Sequence, residues 1–387
     1  MAFLRNRKFL DFLLQFAFLG TVIGLIVSAV VIGRENMAAQ GLTGGFAFLE
    51  QATGWGISFS LVDYSIQDTY SHALKVGILN TLFLGVITLT LATIIGLTAA
   101  SARLSSNKLL AKMGVSFVEI FRNIPLVLQA LFWYAIMSNL PKAKQAISPF
   151  EGVFLSNRGA YFPGLNVTGG SAAIAIALFI LAVSLAIWIA VARRTSRMQP
   201  SRRRMMWVGT VVAGALVSIA VLAAGRIPGT ELLSIPYLKG LNFREGIRLT
   251  PELMAAIVAI SLYGAAFIAE IFRAGLLSIR KGMGEAGAAL GLRPYQVFFR
   301  IRLPLAIRAV LPTLTNQYVW LMKATTIGIA IGFNDFFMVV AVSINQSGQT
   351  LSLILILILG FWALNLSLSA VFNWINRRIA LKGTQNR

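Results

Sequence analysis

The sequence predicts an all-α integral membrane protein with about eight transmembrane helices, and two observations carry this prediction. Of the 387 residues, 57% are hydrophobic and only 12% are charged, whereas a soluble domain carries about 25% charged residues. Several apolar runs also exceed the roughly 18 residues that mark a membrane-spanning helix. Because a soluble core is too small to bury so much apolar surface, the membrane class follows.

Each predicted helix is an apolar segment long enough to cross a bilayer. The first segment is too long for the apolar core of a signal peptide, so we expect a true span. A loop with an interfacial helix near residues 64–74 is expected after it, while Pro141, Pro149 and Pro163 argue against a long helix between spans three and four. The eight segments are 12–33, 76–101, 113–138, 171–192, 206–224, 252–272, 306–330 and 349–373.

The formal charge of +21 is distributed as membrane topology requires. Of the 34 Lys and Arg residues, 23 lie in the two terminal segments and in alternate loops. This positive-inside pattern places both termini in the cytoplasm and argues against nucleic-acid binding. The basic turn 193–205 is interpreted as a topology anchor that meets anionic lipid headgroups. The chain has no cysteine and one histidine, so no metal site or cofactor is predicted.

The segment 282–304 has a pattern that the other loops lack. Helix-forming residues from Glu285 to Leu290 precede Gly291, a typical helix stop, and Pro294 suits the first turn of a second helix. The first helix consists almost wholly of Ala and Gly, so another backbone is able to approach it closely. The second mixes aromatic side chains with arginines, which suits the headgroup boundary. We therefore predict a helix, a tight turn and a second helix lying across the membrane face.

This segment resembles the EAA loop of permeases in bacterial ABC importers, where the loop is the coupling helix that docks on the ATPase subunit. Gly287 departs from the family pattern, which usually has a second Ala there. The chain also lacks a Gly-x-x-x-x-Gly-Lys-Ser/Thr phosphate loop, so the resemblance implies a separate ATPase. The residues implied in coupling are Glu285, Ala286, Gly287, Gly291, Ile301, Leu303 and Pro304.

A second resemblance narrows the class to importers of polar amino acids. It covers most of 76–140 and 251–378, including the segment 118–134, the Asn80-Thr81 pair and the stretch after Tyr263. The long first loop resembles that of the larger subunits that import glutamate, glutamine, aspartate and asparagine. The implied core has five spans, with an added first helix and an inserted hairpin. The implied segments are 1–75 (first helix and periplasmic loop), 76–140 (first core part), 141–250 (loops and hairpin), 251–378 (second core part) and 379–387 (cytoplasmic tail).

Charged and polar residues inside spans are the candidates for substrate binding, because such residues are costly in a membrane and usually functional. Lys323, followed by the hydroxyls of Thr325 and Thr326, is suited to hold a carboxylate, or it pairs with Asp335 or Glu270. Ala324 stands where the family is often acidic or polar, which argues against a cationic substrate. Each candidate also has a structural alternative, such as pairing of Glu119 with Arg122 or of Glu270 with Arg273. The candidates are Arg122, Asn123, Gln129, Glu270, Lys323, Thr325 and Thr326.

The resemblance implies a non-catalytic subunit in the bacterial inner membrane. Its implied partners are a second, homologous permease, two ATPase subunits, a periplasmic binding protein, the amino-acid substrate and membrane lipid. The main alternative is an amino-acid transporter driven by an ion gradient. Such a carrier would not require the EAA-like segment and would show broken helices in two similar halves, which the sequence lacks.

Overall fold

The computed structural model describes residues 7–39, 45–191 and 199–379. The chain divides into two compact units, Met1–Leu131 with Ala256–Arg387, and Phe132–Ala255. Three basic residues of the predicted anchor, Arg193, Arg194 and Arg197, lie outside the described residues, as do residues 380–387 of the predicted tail. The helices are α1 (Arg7–Ala39), α2 (Tyr70–Arg103), α3 (Lys108–Asn123), α4 (Leu126–Ser138), α5 (Gly169–Val191), α6 (Pro200–Ala224), α7 (Pro251–Leu277), α8 (Lys281–Ala289), α9 (Pro294–Val297), α10 (Leu303–Ala324), α11 (Phe336–Ser347) and α12 (Thr350–Ile379).

Six helices in the described part of the chain are long and apolar enough to cross a membrane, namely α1, α2, α5, α6, α7 and α12. Two further pairs pass the same test but are bent, α3 with α4 by 102° and the stretch 294–331 with α11 by 49°. If each bent pair is one span, the total rises to eight. The predicted fold class of a multi-span helical membrane protein is confirmed.

The third predicted span, 113–138, is wrong as a single continuous helix. α3 ends at Asn123 and α4 begins at Leu126. Between them Ile124 has extended backbone angles, φ −86° and ψ 127°. Proline disfavours the helical conformation of the residue before it and has no N–H for the helical ladder. Pro125 therefore breaks this span into two arms.

The predicted interfacial helix near 64–74 is also wrong. Residues 64–69 are not helical, and α2 begins only at Tyr70. Thr69 is its N-cap, with the side-chain oxygen accepting a 3.3 Å hydrogen bond from the backbone N–H of His72. A threonine cap satisfies one of the free N–H groups of a first helical turn. The start of α2 is thus set by its cap rather than by the aromatic pattern before it.

Strands in the second unit were not predicted. β1, β2, β3 and β8 form an antiparallel sheet in that order, and β4–β5 and β6–β7 form two-stranded pairs. Tyr161 and Phe243 are buried there, and Phe154 stacks on Phe243 with ring centroids 4.5 Å apart. The strands are β1 (Ile147–Phe150), β2 (Val153–Ser156), β3 (Gly159–Phe162), β4 (Gly164–Leu165), β5 (Leu233–Ser234), β6 (Tyr237–Lys239), β7 (Asn242–Arg244) and β8 (Ile247–Leu249).

The first unit is held together along a stripe of small residues on α2. A Cβ atom at Gly77 would lie 3.0 Å from the Cα of Phe336, and one at Gly96 would lie 2.8 Å from Ile268 Cγ2. Helices in a bilayer gain little from the hydrophobic effect, so close backbone approach over small residues provides much of their association. These glycines let α2 pack directly on α7 and α11.

Candidate functional site

In the segment 282–304, the first helix and the tight turn form as the sequence predicts. α8 ends at Ala289 with Leu290 as its C-cap, and Gly291 follows with a left-handed φ of +76°. The N–H of Gly291 bonds to Ala288 O at 2.9 Å, and that of Leu292 bonds to Gly287 O at 3.1 Å. This pair of bonds is the Schellman termination, which favours glycine because a Cβ is strained in that conformation. The tight turn after α8 is therefore encoded locally.

The second helix does not lie apart from the seventh span. α9 begins at Pro294 and runs through a π-helical turn, Phe298–Arg302, straight into α10. Leu303 and Pro304 form the first turn of α10, where the missing proline N–H is tolerated. The prediction of a separate helix across the membrane face is wrong because no residue between Val297 and Leu303 stops the helix.

One side of α8 is anchored to this continuous helix. Gly287 is buried, and a Cβ there would lie 2.7 Å from Ile301 Cδ1 and 3.2 Å from Val297 Cγ2. Glycine at this position lets Ile301 pack against the helix, which gives a physical reason for the departure from the family's alanine. The opposite side of α8 is open, because Glu285 is exposed there. Ala286 and the C-cap residue Leu290 are exposed as well, Leu290 by 81%.

Glu270 lies at the centre of an ion-pair cluster in the first unit. Its Oε1 accepts hydrogen bonds from Arg273 Nε at 3.2 Å and Nη2 at 2.5 Å, and its Oε2 is paired with Arg103, the last residue of α2. The predicted Glu270–Arg273 pair is confirmed. Because both carboxylate oxygens are engaged, this geometry favours a structural role for Glu270 in tying α2 to α7.

At the bend between α3 and α4, Gln129 is buried and its side chain donates hydrogen bonds to two backbone carbonyls. Its Nε2 donates to Phe121 O at 2.8 Å and to Ile124 O at 2.9 Å. These carbonyls lack their usual helical partners because Pro125 interrupts the ladder. The geometry favours a structural role for Gln129 as the clamp of the bend.

Arg122 and Asn123 are exposed at the end of α3. The Arg122 guanidinium lies over the Phe267 ring, with its Cζ 5.9 Å from the centroid. Among the described residues neither Arg122 nor Glu119 forms an ion pair, so the alternative of an internal Glu119–Arg122 pair is wrong. The guanidinium keeps its donors available at the surface of this unit.

Lys323 is exposed in the last turn of α10 and forms no ion pair within the described part of the chain. The alternatives of pairing with Glu270 or Asp335 are wrong: Glu270 is paired elsewhere, and Asp335 Oδ1 accepts from the N–H of Met338 at 2.8 Å as the N-cap of α11. Trp320 lies one turn before Lys323 and stacks on Tyr263 with centroids 5.5 Å apart. The Lys323 ammonium, which has no ion partner among the described residues, therefore comes one helical turn after a stacked aromatic pair.

The hydroxyls next to Lys323 are used internally. Thr325 Oγ1 donates to Met322 O at 2.8 Å, and Thr326 Oγ1 donates to Lys323 O at 2.9 Å. Thr325 is fully buried. Since each hydroxyl has one proton, neither donates to a substrate in this conformation. The expected pair of hydroxyl donors beside the cation is therefore absent here.

The sequence reasoning missed a buried polar hub at the break between α10 and α11. Asn80, fully buried in α2, donates through Nδ2 to Phe59 O and Asn334 O, both at 2.8 Å. Asn334 Oδ1 in turn accepts from the N–H and hydroxyl of Ser58 at 3.0 and 2.8 Å. This hub, formed by Ser58, Asn80 and Asn334, connects the loop before α2 to the broken span through hydrogen bonds. The Gly332-Phe-Asn334-Asp335 run inside an apolar stretch was the signal that could have indicated it.

A family model described as binding-protein-dependent transport system inner membrane component matches residues 205–381, which include α8 and its turn. The chain is 38% identical to YhdX of Escherichia coli (strain K12), over 89% of this chain and 88% of that protein.

Two further relatives cover nearly the whole chain. The general L-amino acid transport system permease protein AapQ of Rhizobium johnstonii is 37% identical over 92% of this chain and 87% of its own. The glutamate/glutamine/aspartate/asparagine transport system permease protein BztB of Rhodobacter capsulatus is 31% identical over 94% and 91%. These relatives support the resemblance and not the alternative of an ion-driven carrier. The chain belongs to the family of amino-acid ABC transporter permeases.

Proposed function

We propose that this chain forms one half of the membrane pathway of an importer for acidic and neutral polar amino acids and is not catalytic by itself. ATP is bound and hydrolysed by two separate ATPase subunits that dock on α8. The other half of the pathway is a second, homologous permease, and a periplasmic binding protein delivers the substrate. The positive-inside charge distribution supports an inner-membrane orientation with both termini in the cytoplasm.

The observation that carries the coupling proposal is the two-sided character of α8. Gly287 packs against Ile301 on one side, while Glu285 on the opposite side and its neighbour Ala286 are exposed. A helix of small residues that is anchored on one side and open on the other fits a groove on a partner. Because the chain is continuously helical from Pro294 through α9 and α10, a displacement of α8 is transmitted to the seventh span. This arrangement supports mechanical coupling between ATP-driven closure and a shift of the membrane helices.

The proposed substrate class rests on two of the candidate cations, Lys323 and Arg122, and on the relatives. AapQ is described as a general L-amino acid permease and BztB as one for glutamate, glutamine, aspartate and asparagine. Every amino acid carries an α-carboxylate, and Lys323 and Arg122 are exposed cations that form no ion pair among the described residues. We assign the carboxylate to these two side chains, with Asn123 beside Arg122. Glu270, Thr325 and Thr326 are left out because their carboxylate or hydroxyl groups are engaged within the chain. Gln129 is left out because it is buried and its Nε2 bonds to backbone carbonyls.

The experiment is ATP-dependent uptake of labelled amino acids into liposomes that hold this subunit with its neighbouring permease, ATPase and binding protein. Glu285→Arg is compared with Glu151→Arg, an exposed glutamate in the turn between β1 and β2. We expect Glu285→Arg to lose uptake and to release the ATPase, while Glu151→Arg retains both. Uptake that continues without ATP, or that follows a proton or sodium gradient, would contradict the proposal.

Substrate binding is tested separately in the same liposomes. Lys323→Ala is compared with Lys108→Ala, an exposed lysine in the first turn of α3. Loss of a charge-assisted hydrogen bond costs about 1.5–3 kcal/mol, so we expect uptake at low substrate concentration to fall by about tenfold or more. Unchanged affinity and rate for every amino acid in the panel would remove Lys323 from the pathway.

A further inference from the structure

The inserted hairpin of the second unit carries an apolar groove that the transport proposal does not use. The groove encloses about 690 Å³. Five of its lining residues lie on one face of α5 at positions 172, 175, 176, 179 and 180, which is the spacing of a single helical stripe. Ser218 and Leu222 of α6 close the other side. The eight steps from position 172 to position 180 of α5 correspond to about 12 Å at 1.5 Å per residue, so the groove runs along a candidate membrane span.

The apolar surface continues beyond the helices onto the neighbouring strands. Leu165, Leu233 and Ile247 line the same groove and are 46%, 49% and 52% exposed. On α5, Ile176 and Ile180 are 60% and 59% exposed along it. A groove that is open along a candidate membrane span faces the hydrocarbon of the bilayer where that helix crosses it. An acyl chain therefore has the apolar chemistry that suits this groove.

A second, polar cavity of about 380 Å³ adjoins the end of the groove. Asn166 and Leu233 line both cavities, so the two are adjacent. The carboxylates lining the polar cavity are Glu231 and Glu245, and both residues are exposed.

A guanidinium is bonded to the backbone of a residue that lines this polar cavity. Arg226 Nε donates at 2.5 Å to the carbonyl of Thr230, which itself lines the cavity. Together the two cavities place an apolar channel beside two anions and one cation. This combination of groups is complementary to a phospholipid whose headgroup carries both a phosphate and an ammonium.

We propose that this paired site holds one phospholipid with a primary-amine headgroup, of the phosphatidylethanolamine class. The acyl chain lies in the groove, the phosphate meets Arg226, and the ammonium meets Glu231 and Glu245. A lipid tail gains little by leaving other tails for a groove of Leu and Ile, because lipid is as apolar as those side chains. Selectivity therefore comes from the headgroup, and the two carboxylates disfavour anionic headgroups that lack an amine.

The test is native mass spectrometry of the purified subunit with its partner subunits after exchange into equal mixtures of phosphatidylethanolamine and phosphatidylglycerol. We expect one retained phosphatidylethanolamine in preference to phosphatidylglycerol. In the double variant Glu231→Gln with Glu245→Gln, the preference is expected to fall by about tenfold, as loss of hydrogen bonds to charged groups implies. Glu151→Gln, an exposed acid that does not line either cavity, is the control and is expected to keep it.

The groove is tested by filling it from one helix. Ile176→Trp blocks the groove, whereas Ile174→Trp changes the same residue type on the same helix at a 56% exposed position outside the lining. We expect Ile176→Trp to lose the retained lipid whatever its headgroup, and Ile174→Trp to keep it. Equal retention of both lipids by the unaltered chain, equal retention by the two tryptophan variants, or occupancy by detergent alone would overturn the proposal.

Discussion

Replacement of Asn80 by leucine tests whether the buried hub holds the broken span in place. Asn80 is fully buried, and its Nδ2 donates to Phe59 O and Asn334 O. Leucine has a similar size but no donor, so two buried carbonyls lose their partner. Each buried polar group left unsatisfied costs about 1–3 kcal/mol, which amounts to about 2–6 kcal/mol for the pair. At about 1.2 °C per kcal/mol, which follows from about 2.1 cal/mol/K per residue over 387 residues, the melting temperature is expected to fall by about 2–7 °C.

The matched control is Asn365→Leu in α12. Asn365 is also an asparagine of a spanning helix, and its Nδ2 donates at 2.7 Å to Phe361 O, four residues earlier in the same helix. That carbonyl is within the regular part of α12 and keeps its helical backbone partner, so the substitution is expected to cost far less. The assay is thermal unfolding of the purified complex in one detergent, with both variants in parallel. Equal melting temperatures for the two variants would refute the idea that the hub stabilises the fold.

Three further substitutions test other parts of the described structure. Glu270→Ala removes the link between Arg103 and Arg273, and we expect a loss of about 1–3 kcal/mol, seen as a lower melting temperature; an unchanged value would mean that the cluster contributes nothing to stability. Gly291→Ala places a Cβ at φ +76°, which costs about 1–2 kcal/mol. We expect this variant to bind less ATPase in a pull-down. Gly282→Ala, with nothing within 4 Å of the added Cβ, is the control and is expected to keep ATPase binding. Gln129→Leu frees two carbonyls at the bend, and faster cleavage there by limited proteolysis is expected; wild-type cleavage would argue against the clamp.

The features that the sequence determined by itself are those encoded over a few neighbouring residues. Apolar runs of sufficient length predict spans because a bilayer needs about 20 apolar residues per helix. The end of α8 was predictable since Gly291 and Pro294 act on their own backbone torsions. The pairing of Glu270 with Arg273 was predictable because residues three apart share one helix face.

Other features were decided only by the tertiary structure. Asn80 and Asn334 are 254 positions apart, and Arg103 and Glu270 are 167 apart. No local pattern reveals which distant partner a polar side chain finds. The same holds for Lys323, which is exposed and has no ion partner in the described chain. Its two potential partners, Glu270 and Asp335, are already bonded elsewhere. Local sequence sets torsion angles and helix faces, whereas the pairing of buried polar groups depends on how those faces meet.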